Sequence, residues 1–266
     1  MNDRIATDLT PFVRRDVDAR GLVTLTLDRP QSFNALSEGM LTALQAELDA
    51  VAADERARAV VIAATGKAFC AGHDLKEMRA TPSLPYYEAL FAQCARMMLT
   101  IQRLPVPVIA RVQGIATAAG CQLVAACDLA VAADSARFAV SGVNLGLFCS
   151  SPSVPLTRNV ARKPAFEMLV TGEFISADEA RARGLVNRVA SMEALDGAVE
   201  SLVAAIVAKP RSAIALGKAL FYRQIESGAE AAYEDAARTM ACNMMEADTL
   251  EGVQAFIDKR KPAWPS

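Results

Sequence analysis

The chain has one histidine, His73, and one tryptophan among 266 residues, and only 6% of it is aromatic. A lone histidine and six cysteines without CxxC spacing leave no recognisable zinc motif, so no metal is expected. The cysteines (Cys70, Cys94, Cys121, Cys127, Cys149 and Cys242) sit mostly in apolar stretches. That is the setting of free buried thiols in a reducing compartment, and a cytoplasmic protein is expected. No GxGxxG follows the first strand-like run and no GxxxxGKS/T occurs, which argues against dinucleotide and P-loop sites. The net charge is −2 and the one basic cluster is the short DKRKP near the end, so nucleic acid is not an expected partner. No apolar run approaches the ~20 residues needed to cross a bilayer, and no membrane association is expected. The opening MNDRIATDLTPF has acids and no apolar core segment, unlike a secretory signal or an organellar transit peptide.

What is present is a 53% hydrophobic, 22% charged composition that suits one globular domain with a helical appendage. FVRRDV and LVTLTLD alternate around DARG and read as a hairpin closed at Gly21. Ser37 reads as an N-cap, followed by a helix with Leu41, Leu44, Leu48 and Val51 on one face. AVVIAAT (59–65), VPVIARVQG and DLAVAA read as strands buried on both faces. Between them, residues 84–104 carry Leu90, Phe91, Cys94, Met97, Met98 and Ile101 at helical spacing, and Pro105 stops the helix. Strands alternating with helices predict an α/β fold with right-handed crossovers over residues 1–190. Residues 191–266 show only helical periodicity. Their alanines and methionines on several faces predict a subunit interface, the alternative being that they pack on the chain's own α/β core.

Two segments join an apolar strand to a helix through small residues: VVIAATGKAFCAGHDLKEM and PVIARVQGIATAAGCQLVAAC. Helix starts carry unpaired N–H groups and the positive end of the helix dipole. Two such groups aimed at one point form an oxyanion hole, which polarises a carbonyl and stabilises the enolate or tetrahedral oxyanion derived from it.

RPQSFNAL, GKAFCAGHDLKEM, PVPVIARVQGIATAAGCQLVAACDLAVAAD, ARFAVSGVNLGLF, ARKPAFEMLVTGEFISADEARARGLVNRV and EGVQAFIDKRKP occur in this order. Together they resemble the enoyl-CoA hydratase/isomerase (crotonase) superfamily over nearly the whole chain, with AGHDLKE and GVNLGLFCS most similar to its enoyl-CoA hydratase domain-containing protein 3 group. The resemblance implies a spiral of ββα units with a C-terminal helical region that makes a homotrimer or a dimer of trimers. It also implies a role in fatty acid and acyl-CoA metabolism. The partner would be an acyl-CoA thioester, with coenzyme A arriving as part of the substrate and no tightly bound cofactor. By position, the resemblance places the oxyanion donors at the N–H groups of Ala71 and Ala119, the latter where the superfamily usually has glycine. It places Ala71, Gly72, His73, Asp74 and Leu75 along the thioester, and Ser32, Phe33 and Ala35 along the pantetheine and adenine. Phe256 and Lys259 would meet the nucleotide end, often from a neighbouring subunit.

The departures from the pattern bear on the reaction. Where hydratases of this superfamily hold two glutamates, this chain has Gln122 and Gly142. An amide does not exchange protons near neutral pH and glycine has no side chain, so efficient hydration is not expected. AGHD and VNLG are also similar to a methylmalonyl-CoA decarboxylase branch, in which a tyrosine stands at the position of Cys149. A malonyl-type decarboxylase using His73 and a non-catalytic thioester binder are therefore the alternatives. His73 suits a proton shuttle, a carboxylate ligand or a ring that caps a backbone group. Asp74 reads as an N-cap rather than an acid, Cys149 as a proton donor or a space filler, Gln122 as a positioning amide or packing, and Cys70 as inert.

Overall fold

The computed structural model describes residues 11–264. Residues 1–10, which carry most of the opening read above for a leader, lie outside them. The expected hairpin is β1 (Val13–Val17) and β2 (Leu22–Leu27), paired antiparallel, with Gly21 at φ +82° between them. α1 (Glu38–Ala53) begins where Ser37 accepts the N–H of Met40 at 3.1 Å, a cap worth about 1 kcal/mol. β3 (Ala59–Ala64) is buried at every position. It is followed by β4 (Ala68–Cys70), α2 (Leu75–Ala80) and α3 (Leu84–Arg103). The next units are β5 (Val108–Val112), β6 (Ile115–Thr117) and α4 (Ala119–Ala126), then β7 (Leu129–Ala133), β8 (Arg137–Ala139) and α5 (Ser150–Asn159). α6 (Arg162–Thr171), β9 (Ile175–Ser176), α7 (Ala177–Ala182) and β10 (Arg188–Ala190) close this part of the chain.

The strands form two sheets. One has the order β1-β2-β3-β5-β7-β10, parallel from β2 onward, and the other β4-β6-β8-β9. The pairs β3–β4, β5–β6 and β7–β8 each give one strand to each sheet before the chain enters a helix, so the expected spiral of ββα units is present. The three-residue strands of the second sheet were not foreseen.

On one face of the larger sheet, Leu41, Leu44 and Leu48 of α1 and Met97 and Ile101 of α3 pack on Val60, Ile62 and Val108. Each fully buried side chain of this size contributes about 1.5–3 kcal/mol. On the other face, α8 (Leu195–Val207) sets Leu195, Val199 and Val203 on Val61, Ile109 and Val131. Phe91, expected on the core side of α3, is only partly buried.

α9 (Arg211–Gln224), α10 (Ala229–Met244) and α11 (Ala247–Ile257) follow. They leave Phe221, Ile225, Met240, Met245, Phe256 and Ile257 exposed in the single chain. None of the described helices is long and apolar enough to cross a membrane. One polar cluster ties α9 to the core. The Lys218 ammonium donates to the carbonyls of Ile101 and Val106 at 2.9 Å and to Asp128 at 2.6 Å. Asp128 also accepts the Tyr222 hydroxyl at 2.7 Å and the Val108 N–H at 2.6 Å. Burial pushes the Lys218 ammonium down and the Asp128 carboxyl up, and these hydrogen bonds offset the desolvation. Lys218→Met leaves the buried carboxylate without its countercharge. We expect a loss of about 3–5 kcal/mol, read as a lower denaturation midpoint.

Candidate active site

The site is built where the turns after β4 and β6 meet. Gly72, at φ +92°, lies so close to the start of α4 that a Cβ there would sit 2.9 Å from the Ala118 Cβ and 3.2 Å from the Ala119 nitrogen. A side chain at this position would separate the two turns. Ala118 itself is held at φ +49°, ψ −121°, a strained conformation for a residue with a Cβ. That strain sets the direction in which the first amides of α4 leave the turn.

A cavity of about 340 Å³ opens at this junction. It is lined by Ala71, His73, Leu75, Met78, Phe91, Ala118 and Ala119, and by Ser141, Gly142, Leu145, Leu147, Phe148, Cys149 and the start of α5. Among the described residues that line it, none is Asp, Glu, Lys or Arg. Two wider clefts, of about 660 and 670 Å³, lie beside α9 and beside the β1–β2 turn, away from both strand-end turns.

The backbone amides correct one sequence expectation. Ala71 lines the cavity, but its N–H donates to the Phe33 carbonyl at 3.1 Å and is not free for a ligand. Two residues on, the His73 N–H has no hydrogen-bond partner among the described residues, and neither does the N–H of Ala119, the first residue of α4. The positive φ of Gly72 turns the peptide between these two positions, a change of direction that residue types alone do not record.

His73 is mostly buried. Its Nδ1 lies 3.2 Å from the Leu36 carbonyl, and its ring meets Phe91 edge-on at 5.4 Å. Burial holds its pKa below the ordinary histidine value, with the Leu36 carbonyl opposing the shift in part. The neutral ring is therefore the resting form at pH 7. Asp74 caps α2 by accepting the N–H groups of Lys76 and Glu77, which is the N-cap role expected of it.

The two glutamate positions differ in their surroundings. Gln122 is 3% exposed, does not line the cavity, and its Oε1 has no partner among the described residues. Gly142 lines the cavity but cannot accept a side chain. A Cβ there would fall 2.5 Å from the Leu147 carbonyl oxygen and 2.8 Å from the Cys149 sulfur. The Gly142 N–H donates to that sulfur at 3.3 Å, so the thiol fills the place beside the glycine. Burial raises the Cys149 pKa, so the sulfur is held as a neutral thiol and not a thiolate. Burial likewise pushes Cys70 up to about 12, the inert residue expected.

Ser32, Phe33 and Ala35 form a turn outside the cavity, with Phe33 and Asn34 at φ +51° and +53°. Phe33 is 56% exposed. Asn34, which the sequence reading passed over, is buried and fixes this turn. Its Oδ1 accepts the Arg29 N–H at 2.8 Å, and its Nδ2 donates to Thr65 and Ala68 at 2.8 and 3.0 Å. Phe256 and Lys259 are exposed at the end of α11 and do not join the cavity within one chain. Ser141, 2.7 Å from the Thr117 hydroxyl, is a further lining residue that no motif signalled. Among the described residues no cluster of His, Cys, Asp and Glu could hold a metal ion.

A model of the enoyl-CoA hydratase/isomerase family matches residues 18–266. A Xenopus laevis protein named enoyl-CoA hydratase domain-containing protein 3, mitochondrial, is 47% identical over 92% of this chain and 83% of its own length. The crystal structure of an enoyl-CoA hydratase from Mycobacterium smegmatis is 67% identical, with a TM-score of 0.96 over 97% of this chain and all of the other. That of the human enoyl-CoA hydratase domain-containing protein 3 is 42% identical, with a TM-score of 0.92 over 95% and 100%. The cytoplasmic expectation is corrected by relatives of this kind, whose names place them in the mitochondrion. Buried free thiols suit any reducing compartment and do not distinguish one from another.

The clash at Gly142 makes a specific expectation. Gly142→Ala should destabilise the protein by about 1–3 kcal/mol in thermal or denaturant unfolding. A Gln122→Glu, Gly142→Glu double variant should gain no crotonyl-CoA hydration, because the turn has no room for the second carboxylate.

Proposed function

This chain belongs to the enoyl-CoA hydratase/isomerase family, and from that premise we propose that it binds a coenzyme A thioester and stabilises the enolate derived from it. The observation that carries this reading is the pair of unpartnered amides, His73 N–H and Ala119 N–H, at an apolar cavity without carboxylates. A thioester oxygen received between them would gain two fixed donors in a water-poor site. Each such donor is worth on the order of 3 kcal/mol in a reaction barrier. Coenzyme A enters as part of the substrate, with the exposed Ser32 and Phe33 of the 32–35 turn offered to its pantetheine and adenine.

Water addition is not the reaction this cavity favours, since no lining carboxylate is present to activate water. The malonyl-type alternative fits poorly as well. A substrate carboxylate would enter a cavity with no lysine or arginine among its described lining residues, at a desolvation cost that nothing repays. The exposed apolar residues of α9–α11 support assembly into a trimer or a dimer of trimers, which would bring the Phe256 and Lys259 of a neighbouring copy to the nucleotide end.

Acetoacetyl-CoA should bind in titration calorimetry. Ala119→Pro, which removes one donor, should weaken that binding. No affinity for any acyl-CoA at millimolar ligand would refute the reading. Crotonyl-CoA hydration should fall far below the ~10 s⁻¹ typical of enzymes. Sedimentation should give a trimer or hexamer, and a monomer at micromolar concentration would refute the assembly.

A further inference from the structure

We propose that His73 is the proton carrier of this cavity: its Nε2 removes an α-hydrogen from an uncharged, hydrocarbon acyl thioester, while the N–H groups of His73 and Ala119 hold the enolate oxygen. This rests on the reading that the cavity takes a coenzyme A thioester, and it adds the base and the acyl class.

The tautomer follows from the hydrogen bond. A carbonyl oxygen only accepts, so the Nδ1 that lies 3.2 Å from Leu36 carries the proton. The lone pair is then on Nε2, at the opposite edge of the ring, which has no partner among the described residues. The residue lines the cavity. The ring is held by the Phe91 edge contact. Phe91 in turn stacks on Tyr87, whose hydroxyl donates to the Met78 carbonyl at 3.1 Å. One residue thus brings a backbone donor and a side-chain acceptor to the same cavity.

The ionisable groups around it are engaged elsewhere. Asp74 accepts the α2 amides, Glu77 accepts the Glu38 N–H at 2.9 Å, and the Cys149 sulfur accepts the Gly142 N–H. Ser141 is paired with Thr117. His73 is therefore the one lining side chain, among the described residues, that can take up a proton near neutral pH. The lining residues Leu75, Met78, Leu145, Leu147 and Phe148 are apolar and suit an alkyl or alkenyl chain.

The step balances without a co-reactant. The α C–H bond breaks, its proton goes to Nε2 to give an imidazolium, and the electron pair moves into the enolate, whose charge rests on the thioester oxygen. Return of the proton to the α-carbon gives exchange. In a β,γ-unsaturated chain, return to the γ-carbon moves the double bond.

The test is α-hydrogen exchange. Butyryl-CoA is incubated with the protein in D2O, and loss of its α-proton signal is followed by NMR. The wild type should exchange the α-hydrogens. His73→Gln, which keeps the backbone N–H, should exchange at least ~10²-fold more slowly while binding butyryl-CoA in calorimetry within a few-fold of the wild type. The wild-type rate should rise with pH through a single ionisation below the ordinary histidine value of about 6.5 and then level off. Wild-type binding without exchange, an unchanged rate in His73→Gln, or a rate independent of pH between about 5 and 8 would overturn the assignment. Failure of the wild type to bind any acyl-CoA would instead overturn the reading beneath it.

Discussion

The close approach of Gly72 to the first turn of α4 is the constraint on which the site depends. It brings two turns from different ββα units within van der Waals contact, at a spot where both leave backbone amides unpaired. The second sheet makes this meeting possible, because β4 and β6 are neighbours and run parallel, so the turns that follow them emerge on the same side. The strain at Ala118 and the buried hydrogen bonds of Asn34 are local costs and supports of the same junction. The shape of the junction therefore resides mostly in main-chain geometry, and side chains modify it.

That division explains how much was legible in the sequence. The Ser37 cap, the apolar face of α1 and the fully buried β3 could be read directly, because capping and burial select residue types. Strands β4, β6 and β8, each three residues long, are too short for any periodicity to show. The motif resemblance put the first donor at Ala71. Amide direction depends on the φ of Gly72, and only coordinates show that the Ala71 N–H is already taken by Phe33. The absence of both glutamates was plain from Gln122 and Gly142. That Gly142 has no room for a side chain was not, since the obstructing atoms belong to Leu147 and Cys149.

The second tier of organisation is the Lys218–Asp128–Tyr222 cluster. It fixes α9 against the end of α3, the loop before β5 and the start of β5 itself. A buried ion pair contributes little net stability over an apolar substitute, but it permits few alternative dockings. The orientation of α9, and with it the apolar face carried by α9–α11, is thus set by specific hydrogen bonds rather than by greasy contact alone.

The Gly142 turn also ties together positions that are separate in sequence. Its N–H rests on the Cys149 sulfur, its carbonyl accepts the Leu147 N–H, and the Leu147 oxygen stands where a Cβ would go. A side chain at position 142 is accommodated only if the 147–149 segment moves or changes with it, so these positions are coupled and cannot be varied independently.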